Sequence, residues 1–89
     1  MRCYFRICGN VQGIGYRYFV IKTAQKISLT GWVQNCPNGD VEAEAQGDET
    51  NLKHFETELE SGHSWARVTQ VTKEIISNKK GEKNFEIRY

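Results

Sequence analysis

Thr30-Gly31-Trp32-Val33-Gln34-Asn35-Cys36-Pro37-Asn38-Gly39-Asp40-Val41-Glu42-Ala43-Glu44-Ala45-Gln46 is the stretch on which the fold turns. Trp32 and Val33 mark a strand over residues 30–35. Val41, Ala43 and Ala45 then alternate with Glu42, Glu44 and Gln46, which is a strand over residues 40–46 with one apolar face. Between them lies Cys36-Pro37-Asn38-Gly39. Asn-Gly is the strongest short hairpin signal, because both residues tolerate positive φ. The sequence therefore predicts a central β-hairpin.

Working outward, residues 2–8 alternate, with Cys3, Phe5 and Ile7 on one side and Arg2, Tyr4 and Arg6 on the other. A glycine-rich loop follows, with three glycines between Gly9 and Gly15. Over residues 16–27, Phe19, Val20, Ala24 and Ile27, with Thr23, form one face of a helix. After the hairpin, Asp48 or Thr50 can cap a second helix, Leu52, Phe55 and Leu59 supply its core face, and Gly62 ends it. Residues 66–76 are rich in β-branched side chains, and the alternation slips between Val68 and Val71, where a bulge fits. A polar loop at residues 79–83 leads to a last strand carrying Phe85, Ile87 and Tyr89. The order β-α-β-β-α-β, followed by that last strand, predicts an α+β, ferredoxin-like sandwich with two helices on one face of an antiparallel sheet. The length of 89 residues sets the expectation of a single domain spanning residues 1–89.

The composition narrows the function classes. A formal net charge of +1 argues against a nucleic-acid partner, which calls for a basic excess. No apolar run approaches the roughly 20 residues of a membrane span, and Arg6 interrupts any apolar leader. The three cysteines, Cys3, Cys8 and Cys36, form an odd set without an export signal, so free thiols in a reducing, cytoplasmic compartment are expected. No Cys-x-x-Cys pair is present, so no metal and no cofactor is expected.

The stretch that carries chemistry is Gly9-Asn10-Val11-Gln12-Gly13-Ile14-Gly15-Tyr16-Arg17. It runs from a strand end through a glycine loop into a helix start. Successive N–H groups in such a loop can converge as an anion nest, and the helix N-terminus adds further free N–H groups. Arg17, in the first turn, can fork onto two phosphate oxygens. The Walker pattern and the dinucleotide fingerprint both fail on spacing. A tight strand-to-helix connection reads the glycines equally well, and Asn35 beside Pro37-Asn38-Gly39 reads on its own as a turn asparagine.

The same residues carry a resemblance. Gly9-x-Val11-Gln12-Gly13-Ile14-x-Tyr16-Arg17 resembles the acylphosphatase signature G-x-V-Q-G-V-x-[F/H]-R. Gly31-Trp32-Val33-Gln34-Asn35-x-x-Asn38-Gly39-x-Val41-Glu42 resembles that family's second motif, G-x-V-x-N-x-x-D-G-x-V-E, and Phe85-x-Ile87-x-Tyr89 is also similar. Ile14, Tyr16 and Asn38 depart mildly from the pattern. Gly62-His63-Ser64-Trp65 departs more, where the family often has Gly-Pro.

The resemblance implies hydrolysis of carboxyl–phosphate mixed anhydrides without a metal. It assigns phosphate binding to Arg17 and orientation of the water to Asn35. The backbone of Asn10, Val11, Gln12, Gly13, Ile14, Gly15 and Tyr16 becomes the phosphate cradle. It further implies an acyl phosphate substrate, inorganic phosphate as product and competitive inhibitor, and a monomer. Cys36 adjoins Asn35, so a bulky thiol reagent would crowd the site if that thiol were exposed.

Other occupants of this fold are less well matched. An RNA-recognition module needs stacking aromatics on the strand at residues 40–46, which has none. A metallochaperone needs paired cysteines. The acylphosphatase-like part of hydrogenase-maturation enzymes belongs to much longer chains. His54 and His63 read as surface residues, residues 79–83 as a solvated loop, and Trp32 and Trp65 as packing residues.

Overall fold

The computed structural model describes Met1–Tyr89. Its elements are β1 (Arg2–Asn10), α1 (Tyr16–Lys26), β2 (Thr30–Asn35), β3 (Val41–Gln46), α2 (Glu49–Ser61), β4 (Arg67–Ile76) and β5 (Phe85–Arg88). The five strands lie in the order β4-β1-β3-β2-β5. Cys3, Phe5 and Ile7 of β1, Val33 of β2, and Val41, Ala43 and Ala45 of β3 meet Tyr16, Val20 and Ala24 of α1 and Leu52, Phe55 and Leu59 of α2 in one core. The alternation in the strands and the helical spacing therefore point the same side chains inward, and both helices cover one face.

The sheet corrects one expectation. It is mixed, not wholly antiparallel: β5 pairs parallel to β2, with Gly31 opposite Phe85 and Val33 opposite Ile87. The pattern of Phe85 and Ile87 shows a strand, but its partner is set by where the chain returns after β4 has taken the opposite edge. The irregularity expected in β4 is present. Cys8 pairs with Gln70 while Gly9 pairs with Val68, so Thr69 is the extra residue.

The hairpin turn also differs in detail. Gly39 takes φ 99°, but Asn38 does not take positive φ. Pro37 presets a negative φ at the first central position, Asn38 at the second stays out of the positive region too, and Gly39, whose N–H closes the turn on Cys36 O at 3.1 Å, is the residue that takes positive φ. Asn38 instead closes the loop with its side chain: its Oδ1 accepts from Asp40 N–H and its Nδ2 donates to Asp40 Oδ2, both at 3.1 Å. Asp48 stands at the N-cap of α2 without a side-chain capping bond.

The face opposite the helices is held by polar pairs. Tyr4 donates to Glu42 at 2.7 Å, and Arg6 pairs with Asp40 at 3.0 Å. Arg2 is only 1% exposed, with its guanidinium on Glu44 at 2.8 Å and Glu82 at 2.7 Å. The loop at residues 79–83 is thus clamped to the sheet through Glu82, and Gln46 receives Lys79 N–H at 2.8 Å. Trp65 is 76% exposed rather than packed, whereas Trp32 is buried under the guanidinium of Arg88. His63 is half-buried against Phe19 and Tyr16.

Candidate active site

The segment between β1 and α1 has little choice of path. Gly13 and Gly15 hold φ of 77° and 76°, the left-handed region that costs side chains with a Cβ about 1–2 kcal/mol. Gly15 is the N-cap residue of α1, so the loop passes directly into the helix start. None of the N–H groups of residues 12–15 is engaged with another backbone carbonyl. Phe19 N–H, donating to Gly15 O at 3.0 Å, makes the first bond of the helix. These free donors, together with the positive end of α1, favour an anion.

Two anchors fix the loop. Tyr16 is buried, and its hydroxyl donates to Leu59 O at 2.6 Å, which locks the start of α1 to the end of α2. Burial pushes that phenol well above its ordinary range, so it stays protonated. Gln12 reaches the other way. Its Nε2 donates to Cys36 O at 2.9 Å and to Asp40 O at 2.8 Å, tying the loop to the hairpin turn.

Asn35 is the last residue of β2, paired with Val41. Its side-chain Oδ1 is buried and accepts no hydrogen bond within the chain. Native structures satisfy most such atoms, and an unmet one costs about 1–3 kcal/mol. Arg17 is half-buried. Its Nη1 donates to Arg88 O at 3.5 Å, and its guanidinium carbon lies 5.2 Å from the centre of the Tyr89 ring.

One hollow of about 190 Å³ gathers these groups. Val11, Gln12, Gly13, Gly15, Tyr16, Arg17 and Asn35 line it, joined by Tyr18 and Ile87. Seven residues singled out from the sequence therefore meet across two elements and a loop. Asn10 and Ile14 do not line it: Asn10 is exposed at the end of β1, opposite Arg67, and Ile14 lies beside Phe19, His63 and Trp65. The sequence reading missed Tyr18, which continues the motif by one residue. It also missed Ile87, whose alternation was legible but whose position beside β2 was not.

The thiols are all free, with Cys3 and Cys36 buried and Cys8 partly so. Burial, followed by the charge of Glu42, pushes the Cys36 thiol up. Cys36 is buried, so the condition under which a thiol reagent would crowd the site beside Asn35 is not met. The structure brings no group of three or more His, Cys, Asp or Glu side chains into a metal-holding arrangement. No helix is long and apolar enough to cross a membrane.

Comparison with known proteins agrees with this geometry. The family model for acylphosphatase matches residues 3–87. An acylphosphatase of Clostridium beijerinckii is 47% identical over 91% of this chain and 90% of its own length. One from Moorella thermoacetica is 41% identical over 99% of this chain and 94% of its own. The crystal structure of acylphosphatase from Bacillus subtilis superposes with a TM-score of 0.93 at 37% identity, covering 100% of both chains. A match over nearly the whole chain, with the glycine loop, Arg17 and Asn35 in one hollow, makes this chain a member of the acylphosphatase family, the enzymes that hydrolyse acyl phosphates.

Proposed function

We propose that the hollow hydrolyses acyl phosphates by direct, in-line attack of water on phosphorus. Arg17 and the free N–H groups of the loop hold the phosphoryl group, and Asn35 aligns the water. The support is the convergence in one hollow of a permanent cation, unengaged loop donors and a half-buried amide whose oxygen has no partner within the chain. Phosphoryl transfer passes through a loose transition state, so positioning and charge stabilisation carry most of the catalysis. Arg17 can place two parallel N–H groups on the equatorial oxygens. The side-chain amide of Asn35 can orient the attacking water without taking its proton.

The leaving group of an acyl phosphate is a carboxylate, a weak base that departs without protonation. The lining residues include no His, Asp or Glu to act as a general acid, and this substrate needs none. In this reading inorganic phosphate is both product and competitive inhibitor. In this reading the enzyme acts as a monomer, and the free thiols suit a reducing, cytoplasmic setting.

The test compares phosphate release from benzoyl phosphate and from glycerol phosphate, each with and without EDTA. Benzoyl phosphate is expected to turn over and glycerol phosphate to remain nearly untouched, with no effect of chelation. Equal rates on the two substrates would overturn the mechanism. Loss of activity in EDTA, restored by a divalent cation, would overturn its independence from metal.

A further inference from the structure

We propose that Tyr18 is the platform for the acyl group of the substrate and favours aromatic and larger apolar acyl phosphates over small ones. The inference rests on the proposed function. In-line displacement requires the attacking water and the departing carboxylate to lie on opposite sides of phosphorus. The lining of the hollow supplies an axis for this. Asn35, half-buried with its Oδ1 closed to solvent, lies on the more buried side, whereas Tyr18 is 62% exposed and lies on the open side. Water held on the side of Asn35 directs the carboxylate, and the group attached to it, outward past Tyr18.

The surroundings of Tyr18 fit that role. A large aromatic so exposed on a first helical turn gains little from the chain's own packing. Tyr16, two residues earlier, is buried and anchors the helix, so Tyr18 is free of that duty. The ring is oriented by the ammonium of Lys22, 5.3 Å from its centre and one turn along α1. Ile87 adds an apolar wall to the same hollow. An acyl group leaving by the open side therefore meets a pre-oriented aromatic surface and an aliphatic side chain. A two-carbon acyl group is too short to cover them.

The experiment measures kcat/KM for benzoyl phosphate and acetyl phosphate in the unaltered chain, Tyr18→Ala and Tyr18→Phe. Loss of one aromatic stacking partner is expected to lower the benzoyl-to-acetyl ratio roughly fivefold in Tyr18→Ala, chiefly through KM for benzoyl phosphate. Tyr18→Phe is expected to keep the ratio. A proportional fall on both substrates, leaving the ratio unchanged, would assign Tyr18 to the fold and overturn the platform. So would an unchanged ratio with full activity; either result leaves the proposed function standing. Absence of acyl phosphate hydrolysis in the unaltered chain overturns both.

Discussion

Gln12 donates its side-chain amide to the carbonyl of Cys36 at 2.9 Å, the residue directly after Asn35. A second bond from the same nitrogen reaches Asp40 O at 2.8 Å. One side chain thus joins the glycine loop to the turn that ends β2, and fixes how far the loop stands from Asn35. Gln12→Ala should destabilise the protein by about 1–3 kcal/mol. It should also lower kcat roughly tenfold or more, since small misplacements of reacting groups are costly. Gln12→Glu should not rescue either effect, because an ionised carboxylate cannot donate. Urea unfolding and benzoyl phosphate turnover measure both, and a variant unchanged in each would release Gln12 from this role.

Arg17 is expected to be indispensable. Arg17→Ala should reduce kcat/KM by at least about 100-fold, the usual scale for losing one transition-state donor. Arg17→Lys should fail nearly as badly, because an ammonium is a point charge and cannot span two oxygens. Near-normal kcat/KM in the lysine variant would remove Arg17 from phosphate binding.

Asn35 should divide the kinetic constants differently. If it orients water, Asn35→Ala should depress kcat strongly while inhibition by inorganic phosphate changes little. Weakened phosphate inhibition with an intact kcat would make Asn35 a binding group instead.

The clamp formed by Arg2 and Glu82 should govern stability in acid. Burial pushes the Glu82 carboxyl up, but hydrogen bonds from Arg2 and Thr30, reinforced by the Arg2 charge, hold it below its ordinary range. A carboxyl depressed in the folded state contributes stability above its unfolded pKa, and that contribution fades as pH falls through the lower folded value. Stability should therefore decline below about pH 4, the ordinary carboxylate range. Glu82→Gln should flatten the decline. At neutral pH, Glu82→Ala should cost about 3 kcal/mol by leaving the Arg2 charge buried with fewer partners. Chemical denaturation at several pH values checks the sign, and an unchanged pH profile in Glu82→Gln would refute it.

Thiol labelling should follow access. Cys36 is 8% exposed and Cys3 1%, while Cys8 is partly open to solvent with its Sγ 3.6 Å from Asp40 Oδ2. Desolvation raises all three thiols, so none gains thiolate character and exposure decides the order. A bulky disulfide reagent on the native protein should modify Cys8 first. Peptide mapping after brief labelling reads the order, and Cys36 modified ahead of Cys8 would contradict it.

What the sequence determined by itself is local. The alternation of Cys3, Phe5 and Ile7, the spacing of Leu52, Phe55 and Leu59, and the turn at Pro37-Asn38-Gly39 each encode a conformation through side-chain period or backbone freedom. The slip between Val68 and Val71 marked the β4 bulge for the same reason. Arg17 and Asn35 stood out through the family resemblance of their motifs, and the structure places both in one hollow. Tertiary structure decided what depends on which distant segments meet. The parallel pairing of β5 with β2 brings Ile87 to the hollow, and no periodicity in residues 85–88 encodes that partner. Arg2 looked like an exposed strand residue until Glu82, 80 positions away, closed over it. Trp65 has the composition of a core residue but no facing element to cover it. A side chain's period fixes which way it points, whereas its burial depends on what arrives opposite, and that is a property of the assembled sheet.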